Sequence, residues 1–186
     1  MTGVIPNPNL PHSQQTNHSV FTITHVGAID DNFVNSVINI VNSFQTMPTE
    51  LILSISSGGG QVMHGITAYN YLKKLPCVLH THNMGEVSSA AILPYLAGQI
   101  RTADAVSKFM FHPLTIGINA EMSYPKFQEL LSMLDRDIIN YAAIVEREAQ
   151  QLCKTHDIMS VLKHDTLVVT AAEGHELGLL KDPVAL

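Results

Sequence analysis

An α/β fold with crossover connections is predicted by three features of the sequence. Short apolar runs of strand length alternate with segments whose apolar residues recur at helical spacing. Small-residue turns, at Gly58 to Gly60 and from Gly85 onward, fall where a strand passes into a helix. One stripe of helical period then runs from Ser123 to Cys153, far longer than the other helices.

Taken in order, residues 1 to 19 carry Pro6, Pro8 and Pro11 among polar residues and read as a flexible arm, with one folded domain over residues 20 to 186. Val20 to Val26 has the β-branched and aromatic content of a strand, and Gly27 punctuates it. Asp30 or Asp31 then caps a helix whose stripe is Phe33, Val37, Ile40, Val41 and Phe44 and which ends before Pro48. Leu51 to Ile55 is almost wholly apolar, as a strand covered on both faces requires. A helix from about Gln61 to Lys74, a strand from Pro76 to His82, a helix from Ser89 to Leu96 and a strand from Lys108 to His112 continue the alternation.

The long stripe consists of Phe127, Leu131, Leu134, Ile138, Tyr141, Val145, Ala149 and Leu152. As one helix it would extend roughly 45 Å and project or pack between subunits. Thr170 with Glu173 forms a capping box, Gly178 takes the C′ position, and a short strand starts at Leu179.

Composition excludes several functions. A net charge of −6 without any basic run argues against nucleic acid as a partner. No apolar stretch reaches membrane-spanning length and the N-terminus lacks signal-peptide character, which points to a cytoplasmic protein. Cys77 and Cys153 lack metal-ligand spacing and read as buried free thiols.

Two strand-to-helix turns and one strand end can carry chemistry. In Ser56-Ser57-Gly58-Gly59-Gly60 the backbone N–H groups are free of bulky side chains and suit an anion or a developing oxyanion; a tight turn explains the glycines equally well. In Gly85-Glu86-Val87-Ser88-Ser89-Ala90-Ala91 a serine stands at the start of a helix, where it is either a cap or an exposed nucleophile. His112 ends a strand, on the same face as Met110 and opposite Phe109 and Phe111.

These segments resemble, in order, motifs of the ClpP family of serine peptidases. Ile55 to Val62 is similar to the family's Ile-Asn-Ser-Pro-Gly-Gly-x-Val, and Gly85 to Ala91 to its Gly-x-Ala-Ala-Ser-Met-Gly. Phe109 to Pro113 resembles the strand that ends in the family's histidine, and Thr170 to Glu173 with Gly178-Leu179 resembles its C-terminal signature. The likeness runs from about residue 20 to 182. Gly58 stands where the family has proline, Ala90 and Ala91 where it has Met-Gly, and the glutamine that follows the histidine is missing.

The resemblance implies a ClpP/crotonase-type fold of repeated ββα units with a long projecting helix. It also implies a serine endopeptidase in which Ser89 is the nucleophile, His112 the general base and the Gly60 and Ala90 N–H groups the oxyanion hole. Peptide or unfolded protein would pair along Leu114 to Gly117, and a homo-oligomeric ring or stacked rings would enclose the site, with no metal or organic cofactor required. Docking of an unfoldase ATPase is left open, since residues 1 to 19 do not resemble the family's axial loop.

Asp165 is the implied third member, although it lies one residue further from Thr170 than the family interval, with Thr166 in the aligned place. A bulge among Leu167 to Val169 would restore it. Two other readings stay open: an inactive ClpP-like scaffold, and a crotonase-type acyl-CoA enzyme.

Overall fold

The computed structural model describes residues 18–118 and 121–182. The arm expected at residues 1 to 19 falls almost wholly outside that range. Of its two described residues, Ser19 exchanges hydrogen bonds with Thr49: its N–H donates to Thr49 Oγ1 at 2.9 Å and its side chain accepts from the Thr49 N–H at 3.2 Å.

Strands β1 (Val20–Val26), β2 (Glu50–Ser57), β3 (Val78–Ser88), β4 (Ile100–Ala103), β5 (Lys108–Phe111) and β6 (Leu167–Thr170) form one sheet. Its order is β1-β2-β3-β5-β6, and β4 also pairs with β3. All pairings are parallel except β5 with β6. Helices α1 (Asp31–Ser43), α2 (Val62–Leu72) and α3 (Ile92–Leu96) occupy the connections between successive parallel strands, as βαβ geometry demands.

Local chemistry sets several boundaries where the sequence placed them. Asp30 caps α1 by accepting the Phe33 N–H at 2.9 Å. The capping box of α7 (Ala171–Glu176) is complete, with Thr170 and Glu173 satisfying each other's N–H groups, and Gly178 follows at φ +76°. Leu51, Leu53 and Ile55 are fully buried, but Ile52 is only half-buried, so the two faces of β2 are covered unequally. Cys77 and Cys153 are free and half-buried rather than buried.

Other elements differ from expectation. β3 runs six residues beyond the expected His82, to Ser88. Its first half pairs with β4 from His80 to Asn83 and its end pairs with β5 from Glu86 to Ser88. Two successive partners sustain a strand whose polar residues conceal it. Ser89–Ala91 is a 3-10 turn, so α3 is shorter than the helix expected from Ser89. Leu179 is followed only by an isolated bridge between Arg101 and Lys181.

The long helix is broken. α4 (Tyr124–Glu148) stops at Ala149, where φ is −138° and ψ is 60°, and α5 (Gln150–Thr155) and α6 (Ile158–His164) follow. The cause lies elsewhere in the chain. Arg101, only 2% exposed, donates from Nη2 to the Glu148 carbonyl at 2.9 Å, while the Leu152 N–H turns to the Ala149 carbonyl at 3.1 Å. The same guanidinium donates to the Gly178 and Leu179 carbonyls at 2.9 and 2.8 Å and lies 3.7 Å from the Glu148 carboxylate. One buried cation thereby joins the end of α4 to the turn after α7.

Arg101→Met keeps the apolar stem but takes the donor from those three carbonyls, while the Glu148 carboxylate keeps Tyr69 and Lys73, so it should lower unfolding free energy by about 2–4 kcal/mol. Urea titration monitored by circular dichroism measures this, and a loss below about 1 kcal/mol would show that the network is dispensable.

Only the second half of α4 is buried, through Ile138, Tyr141, Ile144 and Val145; Tyr124, Phe127, Leu131 and Met133 in its first half are exposed. Among the described residues no helix is long and apolar enough to cross a membrane.

Candidate active site

Ser89 occupies an elbow between β3 and α3. Its φ of +51° is the only positive value at a non-glycine among the described residues. A left-handed L-residue costs about 1–2 kcal/mol and persists only where surrounding structure fixes it. Three contacts fix it here. β3 is held up to Ser88 by β5, and β2 pairs with it at Val87 through Ser57. The Tyr141 hydroxyl on α4, fully buried, donates to the Ser89 carbonyl at 2.8 Å. Burial holds the Tyr141 phenol well above its usual range, so it stays a donor. The sequence placed Tyr141 on an apolar stripe and gave no sign of this polar role.

The glycines divide by function. Gly59, at φ +106°, approaches so closely that a Cβ there would lie 2.6 Å from Ser89 Cβ and 3.2 Å from its Oγ. Gly60, at φ +156°, would place a Cβ 2.3 Å from the Ile29 carbonyl oxygen. The bridge that binds this turn to Ile29 uses the Gly59 carbonyl and the Gln61 N–H, each at 2.9 Å, and leaves the Gly60 N–H out. Gly58 has open space around it and no positive φ, so its position makes no demand for glycine. Ala90 follows Ser89 in the 3-10 turn, at a helix start where N–H groups lack intrahelical partners.

His112 comes directly after β5. Its Nδ1 lies 2.9 Å from the Pro113 carbonyl oxygen; with the proton on Nδ1 that contact is a hydrogen bond and leaves Nε2 as an acceptor. Ser89 and His112 line one cavity of about 320 Å³ together with Gly60, Leu114, Thr115 and Ile116. No hydrogen bond joins Ser89 to His112 among the described residues. A cleft of about 360 Å³ beside Cys153, His156 and Asp157 is slightly larger but contains no serine. Size therefore does not single out a site; the smaller cavity is the candidate because it brings a serine and a histidine together. No group of three His, Cys, Asp or Glu among the described residues has the arrangement to hold a metal.

The substrate edge expected at Leu114 to Gly117 is not a strand. The sheet ends at Phe111, and the Leu114 N–H is already committed to the Leu162 carbonyl at 3.0 Å. Asp165 is exposed at the C-terminus of α6, its N–H bonded to the Val161 carbonyl at 3.2 Å. No hydrogen bond or ion pair connects it with His112 among the described residues. The expected bulge is absent, because β5 and β6 pair in unbroken register from Lys108 with Thr170 to Phe111 with Leu167. One further step in that register would bring Thr166 opposite His112 and Asp165 opposite Pro113.

A carboxylate that the sequence reading did not select does reach the cavity. Asp137 on α4 lines it beside Leu134, three residues earlier on the same helix face. That spacing was the available signal.

A family model described as Clp protease matches residues 13–184. No curated protein matches the chain. Among solved structures, a mutant of ClpP1 from Listeria monocytogenes superposes with a TM-score of 0.68 at 19% sequence identity, covering 88% of this chain and 90% of that one. At that identity the likeness establishes the fold.

Proposed function

Because this chain belongs to the Clp protease family, we propose that it is a serine endopeptidase in which Ser89 attacks the peptide carbonyl and His112 serves as general base. The observation that carries this reading is the left-handed Ser89, strained into a cavity shared with His112. Such strain needs support from the rest of the fold, and a helix cap would not require it.

In the proposed sequence His112 Nε2 takes the Ser89 proton as the Oγ–carbon bond forms, then returns it to the leaving amine. The Gly60 and Ala90 N–H groups receive the oxyanion, each worth about 3 kcal/mol in the transition state. Asp165 orients the imidazole. Peptide or unfolded protein is the substrate class, held near Leu114 to Gly117, with Thr115 and Ile116 supplying the wall and the Leu114 N–H already taken.

The chain works as a homo-oligomer in this reading, since the exposed apolar half of α4 offers a surface for other copies. Light scattering at micromolar concentration should give a multiple of the 20.3 kDa chain mass, and a lone monomer would refute the assembly.

A second reading, a scaffold of the same fold without peptidase activity, draws on the separation of Asp165 from His112. Covalent labelling by a fluorophosphonate distinguishes the two, because only an activated serine reacts.

A further inference from the structure

We propose that Asp137 makes the cavity beside Ser89 select a cationic side chain, so that the favoured substrates carry lysine or arginine at the residue whose carbonyl Ser89 attacks. This deepens the peptidase reading and rests on it. Among the described residues, Asp137 is the only titratable side chain besides His112 that lines the cavity. Leu114, Ile116, Val62 and Leu134 supply apolar walls on the way to it. Such a lining fits a side chain with a methylene stem and a charged head.

Nothing in the described structure already takes the position of that head. No ion pair or side-chain hydrogen bond to Asp137 occurs among the described residues. Its neighbours on α4 do not supply one: Asp135 is paired with Lys163 at 3.7 Å and Arg136 is exposed. Burial alone raises the Asp137 pKa, with no charge or hydrogen bond opposing it. A half-buried carboxylate without a counterion is destabilised, and a substrate ammonium or guanidinium relieves that cost. Leucine in the same place would desolvate the charge further, and glutamate would be repelled.

Peptidyl aryl phosphonates of equal length, with a lysine-, leucine- or glutamate-like side chain next to phosphorus, test this. In the labelling step the Ser89 Oγ–P bond forms, the serine proton passes to His112, and the aryloxide leaves with the electron pair of the broken P–O bond. The lysine-like probe should label the wild-type protein about tenfold or more faster than the leucine-like one. Asp137→Asn should collapse that ratio towards unity, and Asp137→Lys should move the preference to the glutamate-like probe. A leucine-like probe that reacts as fast on the wild type, or a lysine preference that survives Asp137→Asn, overturns the inference. A small fluorophosphonate with no such side chain is run beside them on the wild type. If it labels and the lysine preference is absent, only the Asp137 assignment falls; if it does not label, the nucleophile falls and Asp137's role with it.

Discussion

Ser89→Ala is expected to abolish fluorophosphonate labelling and to reduce peptide cleavage by on the order of 10⁵- to 10⁶-fold, the loss seen when a triad nucleophile is deleted. The substitution isolates chemistry from folding. Alanine and serine carry the same left-handed penalty, so the elbow is no more strained in the variant. The Tyr141 bond is to the Ser89 carbonyl and survives. The Ser89 hydroxyl has no hydrogen-bond partner among the described residues, so its removal leaves no orphan behind.

Ser88 is the necessary control. It is fully buried and its Oγ is committed to Glu86 Oε1 at 2.7 Å, so it lacks the access a nucleophile needs. Ser88→Ala should still be labelled at Ser89, as peptide mapping by mass spectrometry would show. Labelling at Ser88 in the wild type would overturn the assignment. A wild type that is not labelled at all, in its assembled form, supports the scaffold reading.

The parts of the fold legible in the sequence were those with local causes. Asp30 and the Thr170–Glu173 pair act within one helical turn, so three-residue spacing reveals them. The parts that were hidden have distant causes. Nothing near Ala149 announces a break, because the group that removes the Glu148 carbonyl from the helical ladder is Arg101. The later half of β3 reads as a turn because Asn83, Gly85 and Glu86 interrupt its apolar residues. It is a strand because β4 and then β5 lie beside it. α6 is the exception: its cap is local, the Asp157 carboxylate accepting the Ser160 N–H at 3.0 Å, but so short a helix gives too little apolar periodicity to read.

The site divides the same way. Composition alone could not separate Ser89 the nucleophile from Ser89 the cap, nor choose His112 among ten histidines. Motif order supplied the choice, and the shared cavity is consistent with it. Gly59 and Gly60 looked alike in the sequence, yet one makes room for Ser89 and the other for Ile29. Tyr141 read as one member of an apolar stripe, and Asp137 was marked only by its spacing from Leu134, until the fold set the Tyr141 hydroxyl on the Ser89 carbonyl and Asp137 in the lining of the same cavity.

Asp165→Asn should preserve fold and assembly but lower the cleavage rate by about 10²- to 10⁴-fold, because asparagine can stabilise the wrong imidazole tautomer and cannot stabilise the imidazolium. Charge favours Asp165, whereas strand register alone favours Thr166. The regular β5–β6 register ends at Phe111 with Leu167, which leaves Thr166 and Asp165 as the next two residues alongside His112 and Pro113. Of these, only Asp165 carries a negative charge to oppose the positive one that develops on His112. Its carboxylate is exposed and not paired with His112, while His112 Nδ1 faces the Pro113 carbonyl. Pairing of the two side chains would exchange the Pro113 contact for a carboxylate contact, and the imidazole would gain basicity. Thr166→Val is the matched variant, since a threonine hydroxyl accepts the Nδ1–H but supplies no charge. The expected order of kcat is wild type, then Thr166→Val within a few-fold, then Asp165→Asn far below. If Thr166→Val is the crippled variant and Asp165→Asn is nearly as active as wild type, the threonine is the partner. If neither variant loses more than a few-fold, His112 works as a dyad with Ser89, and its orientation is set by the Pro113 carbonyl.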